Sequence, residues 1–87
     1  MGSAEERRAL LAERRRLEAQ ISRIDSAIRD LQRELRQLEQ NRRANKKDKD
    51  WLRERVRRLR EQRQPLSNKL RRVKQDIKSH DPGRGHY

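Results

Sequence analysis

Apolar residues recur every three or four positions along most of this chain. They are Leu10, Leu17, Ile21, Ile24, Ile28, Leu31, Leu35 and Leu38, then, after a polar gap, Leu52, Val56, Leu59, Leu66, Leu70, Val73 and Ile77. That spacing draws one narrow stripe down a helix, the seam of a coiled coil. With Leu10 at heptad position d, every later seam residue falls on an a or d position of one unbroken phase. Between Leu38 and Leu52 the phase meets only Arg42, Asn45 and Lys49, within the stretch NRRANKKDKD. Asn and Asp favour caps and turns over helix interiors. The pattern predicts helix 1 at about 4–44, a turn at about 45–49, and helix 2 at about 50–79 with Asp50 as N-cap and either a kink or a break at Pro65. Residues 80–87 read as a flexible tail, so the chain is one all-α coiled-coil module over 1–87.

Flanking positions select a partner helix. Helix 1 carries Glu13, Glu18, Asp25, Glu34 and Glu39 beside its seam; helix 2 carries Arg53, Arg55, Arg60, Lys69 and Lys74. Antiparallel pairing sets acid against base, whereas a parallel, in-register homodimer sets like against like. The antiparallel register joins Leu38 to Val56, Leu35 to Leu59, Ile28 to Leu66, Ile24 to Leu70, Ile21 to Val73 and Leu17 to Ile77. It makes neighbours of Glu39 and Arg53, Glu34 and Arg55, and Glu18 and Lys74. Arg63, at a seam position opposite Leu31, is expected to turn its head to solvent. An antiparallel coiled-coil hairpin is the preferred reading. Its alternative is one continuous helix of about 100 Å in an antiparallel, domain-swapped dimer.

Composition narrows the classes. Of 87 residues 46% are charged and 29% hydrophobic, with no Phe, which is too little apolar material for a thick globular core. The kept phase argues for long helices over disorder. No cysteine is present, so disulfides and thiolate metal sites are excluded. No apolar run approaches a membrane span.

Charge is unevenly placed. Residues 1–41 hold nine basic and eight acidic side chains, and residues 42–79 hold sixteen and five, so nearly all of the net +12 lies in the second half. An excess this local is the footprint of a polyanion-binding surface. Arg42, Arg43, Lys46, Lys47 and Lys49 cluster at the turn. Arg57, Arg58, Arg71, Arg72 and Lys78 occupy outward b and c positions, and helix 1 adds Arg15, Arg16, Arg23, Arg29, Arg33 and Arg36. Arg and Lys on such a face contact phosphates, which bring affinity and salt dependence but little sequence information.

Catalytic chemistry has no foothold. The two histidines, His80 and His86, sit in the tail SHDPGRGHY without a nucleophile, and no phosphate loop or metal-ligand spacing occurs. No enzyme activity, cofactor or metal is expected. Trp51, the single tryptophan, has two readings: a cap on the end of the seam or a hairpin–hairpin contact, and a platform for a base.

Two resemblances follow from these residues. Asn41, Ala44 and the spacing to Leu59 resemble the basic region and zipper of the bZIP family, with Asn45, Asp48 and Lys49 where that pattern has a second alanine, a small residue and a closing arginine. That likeness implies a base-reading role for Asn41 in a continuous basic helix. The overall plan resembles the oligomerisation region of the hepatitis delta antigen family, in which Trp-Leu opens a second helix as Trp51-Leu52 does here. Here no proline precedes Trp51 and the second helix is longer. That likeness implies antiparallel coiled coils that assemble further and accompany RNA binding.

The sequence therefore points to a self-associating coiled-coil module that binds RNA or DNA through a basic outer surface, in an intracellular setting with the nucleus as one candidate. The alternative is a structural coiled coil docking onto an acidic or helical protein partner. A membrane partner is not expected, because the seam is too narrow both to pair and to enter lipid.

Overall fold

The structure, a computed structural model, describes residues 3–41 and 45–79. Two helices, α1 (Ser3–Gln40) and α2 (Lys46–Ser79), pack against each other as a hairpin, with no strand among the described residues. A helix of α1's 38 residues is about 57 Å long. The molecule extends 64 × 25 × 14 Å, the length of one helix rather than of two in line, so the chain folds back on itself instead of running as one continuous helix.

The fold-back lies earlier than the sequence places it. Residues 46–49, expected in the turn, are already helical, and helix 1 stops at Gln40 rather than near 44. Asn45 is the reason. Its side-chain Oδ1 accepts the Lys47 N–H at 3.1 Å, and its backbone oxygen accepts the N–H groups of Asp48 and Lys49 at 3.1 and 3.4 Å. It thus takes the N-cap role assigned to Asp50, satisfying donors that have no partner inside the helix. Asp50, now inside α2, accepts from Arg53 at 3.4 Å instead. α1 closes with the Asn41 N–H donating to the Leu38 oxygen at 3.1 Å, a tightened last turn. Glu5 and Glu6 in the first turn of α1, and Lys78 in the last turn of α2, suit the helix dipoles.

Pro65 lies inside an unbroken α2. It leaves the Glu61 carbonyl without its usual helical donor. Both residues are exposed, so water can serve that oxygen. Gln64 Nε2 donates to Asn68 Oδ1 at 3.2 Å across the same turn.

None of the fifteen seam residues is exposed. Leu17, Ile21, Ile28, Leu52 and Val56 are buried; Leu10, Ile24, Leu31, Leu35, Leu38, Leu59, Leu66, Leu70, Val73 and Ile77 are half-buried. Leu35 and Val56 line one interhelical groove, and Ile21 and Leu70 line another. Two helices cover only part of each other's stripe, which leaves the rest of the seam facing outward.

Among the described residues, Arg53–Glu39 and Arg63–Asp25 tie the helices together. Arg53 Nη2 lies 3.4 Å from Glu39 Oε1, as the flanking charges predict. Arg63 corrects the sequence reading. Its head does not point to solvent but donates from Nε to Asp25 Oδ1 at 2.6 Å and from Nη2 to Oδ2 at 3.3 Å. This forked geometry fits a guanidinium to a carboxylate, and it removes the cost of an unpaired cation in the seam. The other two expected pairs do not form: Glu18 accepts from Arg14 at 3.2 Å, and Arg55 lies over Trp51. In a double-mutant cycle of Asp25→Ala and Arg63→Ala followed by thermal unfolding, the coupling should be about 0.5–1 kcal/mol. The within-helix pair Arg14–Glu18 should couple by only about 0.3–0.5 kcal/mol. Equal coupling for the two pairs would remove the cross-helix role of Arg63.

Candidate nucleic-acid interface

The basic residues divide by what the fold does with them. At the connection, Lys46 and Lys47 are exposed and Lys49 is half-buried; Arg42 and Arg43 lie outside the described residues. Lys46 and Lys47 sit at the positive end of the α2 dipole, where a cation is unfavourable. Helix stability gives no reason for them to be there.

In the middle of α2, Arg57 and Arg58 are exposed but tethered. Arg57 donates to both Glu54 and Glu61, its Nε reaching Glu54 Oε2 at 3.0 Å, and Arg58 Nε reaches Glu54 Oε1 at 3.3 Å. The hydrogen bond from Arg57 holds the Glu54 carboxyl below its ordinary value of 4.5, against an opposing desolvation, and Glu54 in turn raises Arg57. A carboxyl lowered in the folded state adds stability above its unfolded value, and that contribution is lost as pH falls through the folded one. Helicity at 222 nm should therefore decline as pH drops below 4.5, by less in Glu54→Gln than in the parent chain. An identical acid profile in the two chains would show that the cluster adds nothing.

At the far end of α2 the cations are unrestrained. Arg71, Arg72 and Lys78 are exposed, and their side chains make no ion pair or hydrogen bond among the described residues. Lys69 and Lys74, given flank roles in the sequence reading, are exposed and unpaired in the same way. Residues three and four apart share a helical face. Arg71, Lys74 and Lys78 therefore form one basic stripe, which runs back through Ser67 and Gln64 to Arg60 with no carboxylate on it. The signal was present in the sequence, since no acid occurs from Gln62 to Gln75.

On α1 the outward arginines Arg15, Arg23, Arg33 and Arg36 are exposed and make no ion pair among the described residues. Arg16 lies 3.7 Å from Glu13, and Arg29 donates to Ser26 Oγ at 3.4 Å.

Trp51 is 60% exposed. It does not cap the seam, because it stands exposed at the outward heptad position just before the buried Leu52. The Cζ of Arg55 lies 5.6 Å from its ring centroid. Among the described residues no cluster of His, Cys, Asp or Glu could hold a metal. No helix formed by them is long and apolar enough to cross a membrane. His80, Asp81 and His86 lie outside the described residues.

No protein-family model matches the chain, and no curated protein or solved structure does either. The bZIP likeness also lacks its continuous basic helix, because Asn41 and Asn45 belong to neither α1 nor α2. Nor does Trp51-Leu52 open the second helix, as the delta-antigen likeness requires.

Proposed function

We propose that this chain is a non-enzymatic, self-associating antiparallel coiled-coil hairpin that binds nucleic acid by phosphate contacts along α2. The observation that carries the reading is the stripe of Arg71, Lys74 and Lys78, exposed and without a carboxylate partner among the described residues. Like charges three and four apart destabilise a helix by about 0.2–0.5 kcal/mol per pair. A helix that holds them so, while Arg53, Arg57, Arg58 and Arg63 are all neutralised, presents charge that its own fold does not use. A polyanion supplies the missing partner, and release of its counterions drives association. No cofactor enters this reading, and an intracellular location, the nucleus included, accords with the ligand.

The ten half-buried seam residues favour self-association or a helical protein partner, because their remaining apolar surface is covered only by another helix. On the competing reading, docking to an acidic or helical protein is the whole function and the charge serves solubility.

The two readings separate in a titration of labelled single-stranded RNA and duplex DNA by fluorescence anisotropy. The nucleic-acid reading expects binding at about 150 mM salt that weakens steeply as salt rises. No binding there would defeat it. Glu54→Gln, which frees Arg58 and leaves Arg57 on Glu61 alone, should tighten binding and steepen the salt slope by about one. Weaker binding by that variant would mean the tethered pair is not held in reserve.

A further inference from the structure

Trp51 shares its outward face of α2 with Lys47, Arg55 and Arg58 and with the carboxylates Asp48 and Glu54, at spacings of three, four and seven residues. It is the only large hydrophobic side chain among the described residues that stands exposed. A shallow recess beside it is lined by Trp51, Glu54, Arg55 and Arg58. A protein-docking centre would surround the ring with further apolar area, and a lipid-binding face would add several apolar side chains in a row. Here every other residue lining the recess is charged. What the face offers is one π-surface, a guanidinium against it, and cations on either side.

We propose that Trp51, steadied by Arg55, is a stacking platform for one unpaired base, with Lys47 and Arg58 meeting the phosphates that flank it. This rests on the nucleic-acid reading above and goes beyond it, because it makes single strands the preferred ligand. A base in a duplex has both faces covered by its neighbours and offers none to a side chain, whereas an unpaired base of any identity does. Glu54 lies 3.3 Å from Arg58 on that face and opposes an incoming phosphate, so Glu54→Gln should strengthen this contact. Strong sequence preference is not expected, since no donor or acceptor set here reads a base edge.

The chain reports on this directly, because Trp51 is its only tryptophan. Intrinsic tryptophan fluorescence is followed while the full chain is titrated with oligouridylate, and in parallel with a duplex of equal charge. The proposal expects strong quenching by the single strand, saturating at the concentration where anisotropy saturates, and little quenching by the duplex. Trp51→Ala should weaken single-strand binding about five- to a hundredfold, with duplex affinity and helicity unchanged; Trp51→Phe should recover part of the loss. Binding of both ligands without quenching, and with Trp51→Ala neutral, would overturn the platform and leave the phosphate reading intact. No binding to either ligand would overturn both. A blue shift that follows protein concentration alone would reassign Trp51 to a hairpin–hairpin contact. A larger shift on phosphatidylserine vesicles than on oligouridylate would reassign it to lipid.

Discussion

Leu17→Ala should lower the thermal unfolding midpoint by about 10–20 °C, read by circular dichroism at 222 nm. Leu17 is only 3% exposed and is one of five buried side chains among the described residues. Truncating a buried leucine removes its transfer free energy and leaves a void, together about 2–5 kcal/mol. A thick core spreads such a loss over many layers. A seam one residue wide has few other layers to share it, and surface ion pairs of about 0–1 kcal/mol each do not replace it. The effect should follow burial: Leu52→Ala, also at 3% exposure, should match Leu17→Ala. Leu10→Ala, half-buried near the open end, should cost clearly less. Ser26→Ala on the exposed face should cost nothing. If Leu10→Ala and Leu17→Ala shift the midpoint equally, the helices do not pack as described.

The triple substitution Arg71→Gln, Lys74→Gln and Lys78→Gln should reduce the slope of log affinity against log salt by about two to three, with a large loss of affinity at low salt. Each phosphate neutralised contributes about 0.7 to that slope on a single strand and about 0.9 on a duplex. Glutamine keeps helix propensity close to that of arginine and lysine, and the change relieves like-charge repulsion along one face. The variant should thus be at least as helical as the parent, so weaker binding cannot be laid to unfolding. The loss should be similar across nucleic-acid sequences, since these cations meet phosphates rather than base edges. As a comparison, Arg53→Gln removes a cation already paired with Glu39 and Asp50 and should change the slope by less than any one of the three. A triple variant with an unchanged slope would move the interface off the far end of α2.

The seam could be read from sequence because a period near 3.5 survives any uncertainty about helix ends. The fold-back position was less legible, because Asn45 and Asp50 are both good caps and local sequence does not rank them. In the structure, starting at Asn45 gives α2 another turn and leaves Asp50 to meet Arg53. That shift of one turn also places Trp51 inside α2 rather than at its first residue. The Asp25–Arg63 pair escaped notice because the sequence register sets Asp25 opposite Lys69, whereas this pair, like the Leu35–Val56 and Ile21–Leu70 grooves, joins residues offset from that register. Arg57 and Arg58 looked available because their heptad letters point outward. The carboxylates at Glu54 and Glu61, three and four residues away, were in plain view as helical neighbours. The same neighbour rule, applied to the acid-free stretch 62–75, identifies Lys74 alongside Arg71 as an unopposed cation.

The central claim is that the cations left unpaired by the hairpin form the surface that meets a polyanion. Its most direct test is a map of backbone amide shifts in the isotope-labelled chain as single-stranded RNA is added at about 150 mM salt. The account predicts the largest changes from Lys69 to Lys78 and, from the stacked base, around Trp51, with the amides of Leu17, Ile21 and Ile28 nearly still. Changes concentrated on those seam residues, or none at saturating RNA, would contradict it.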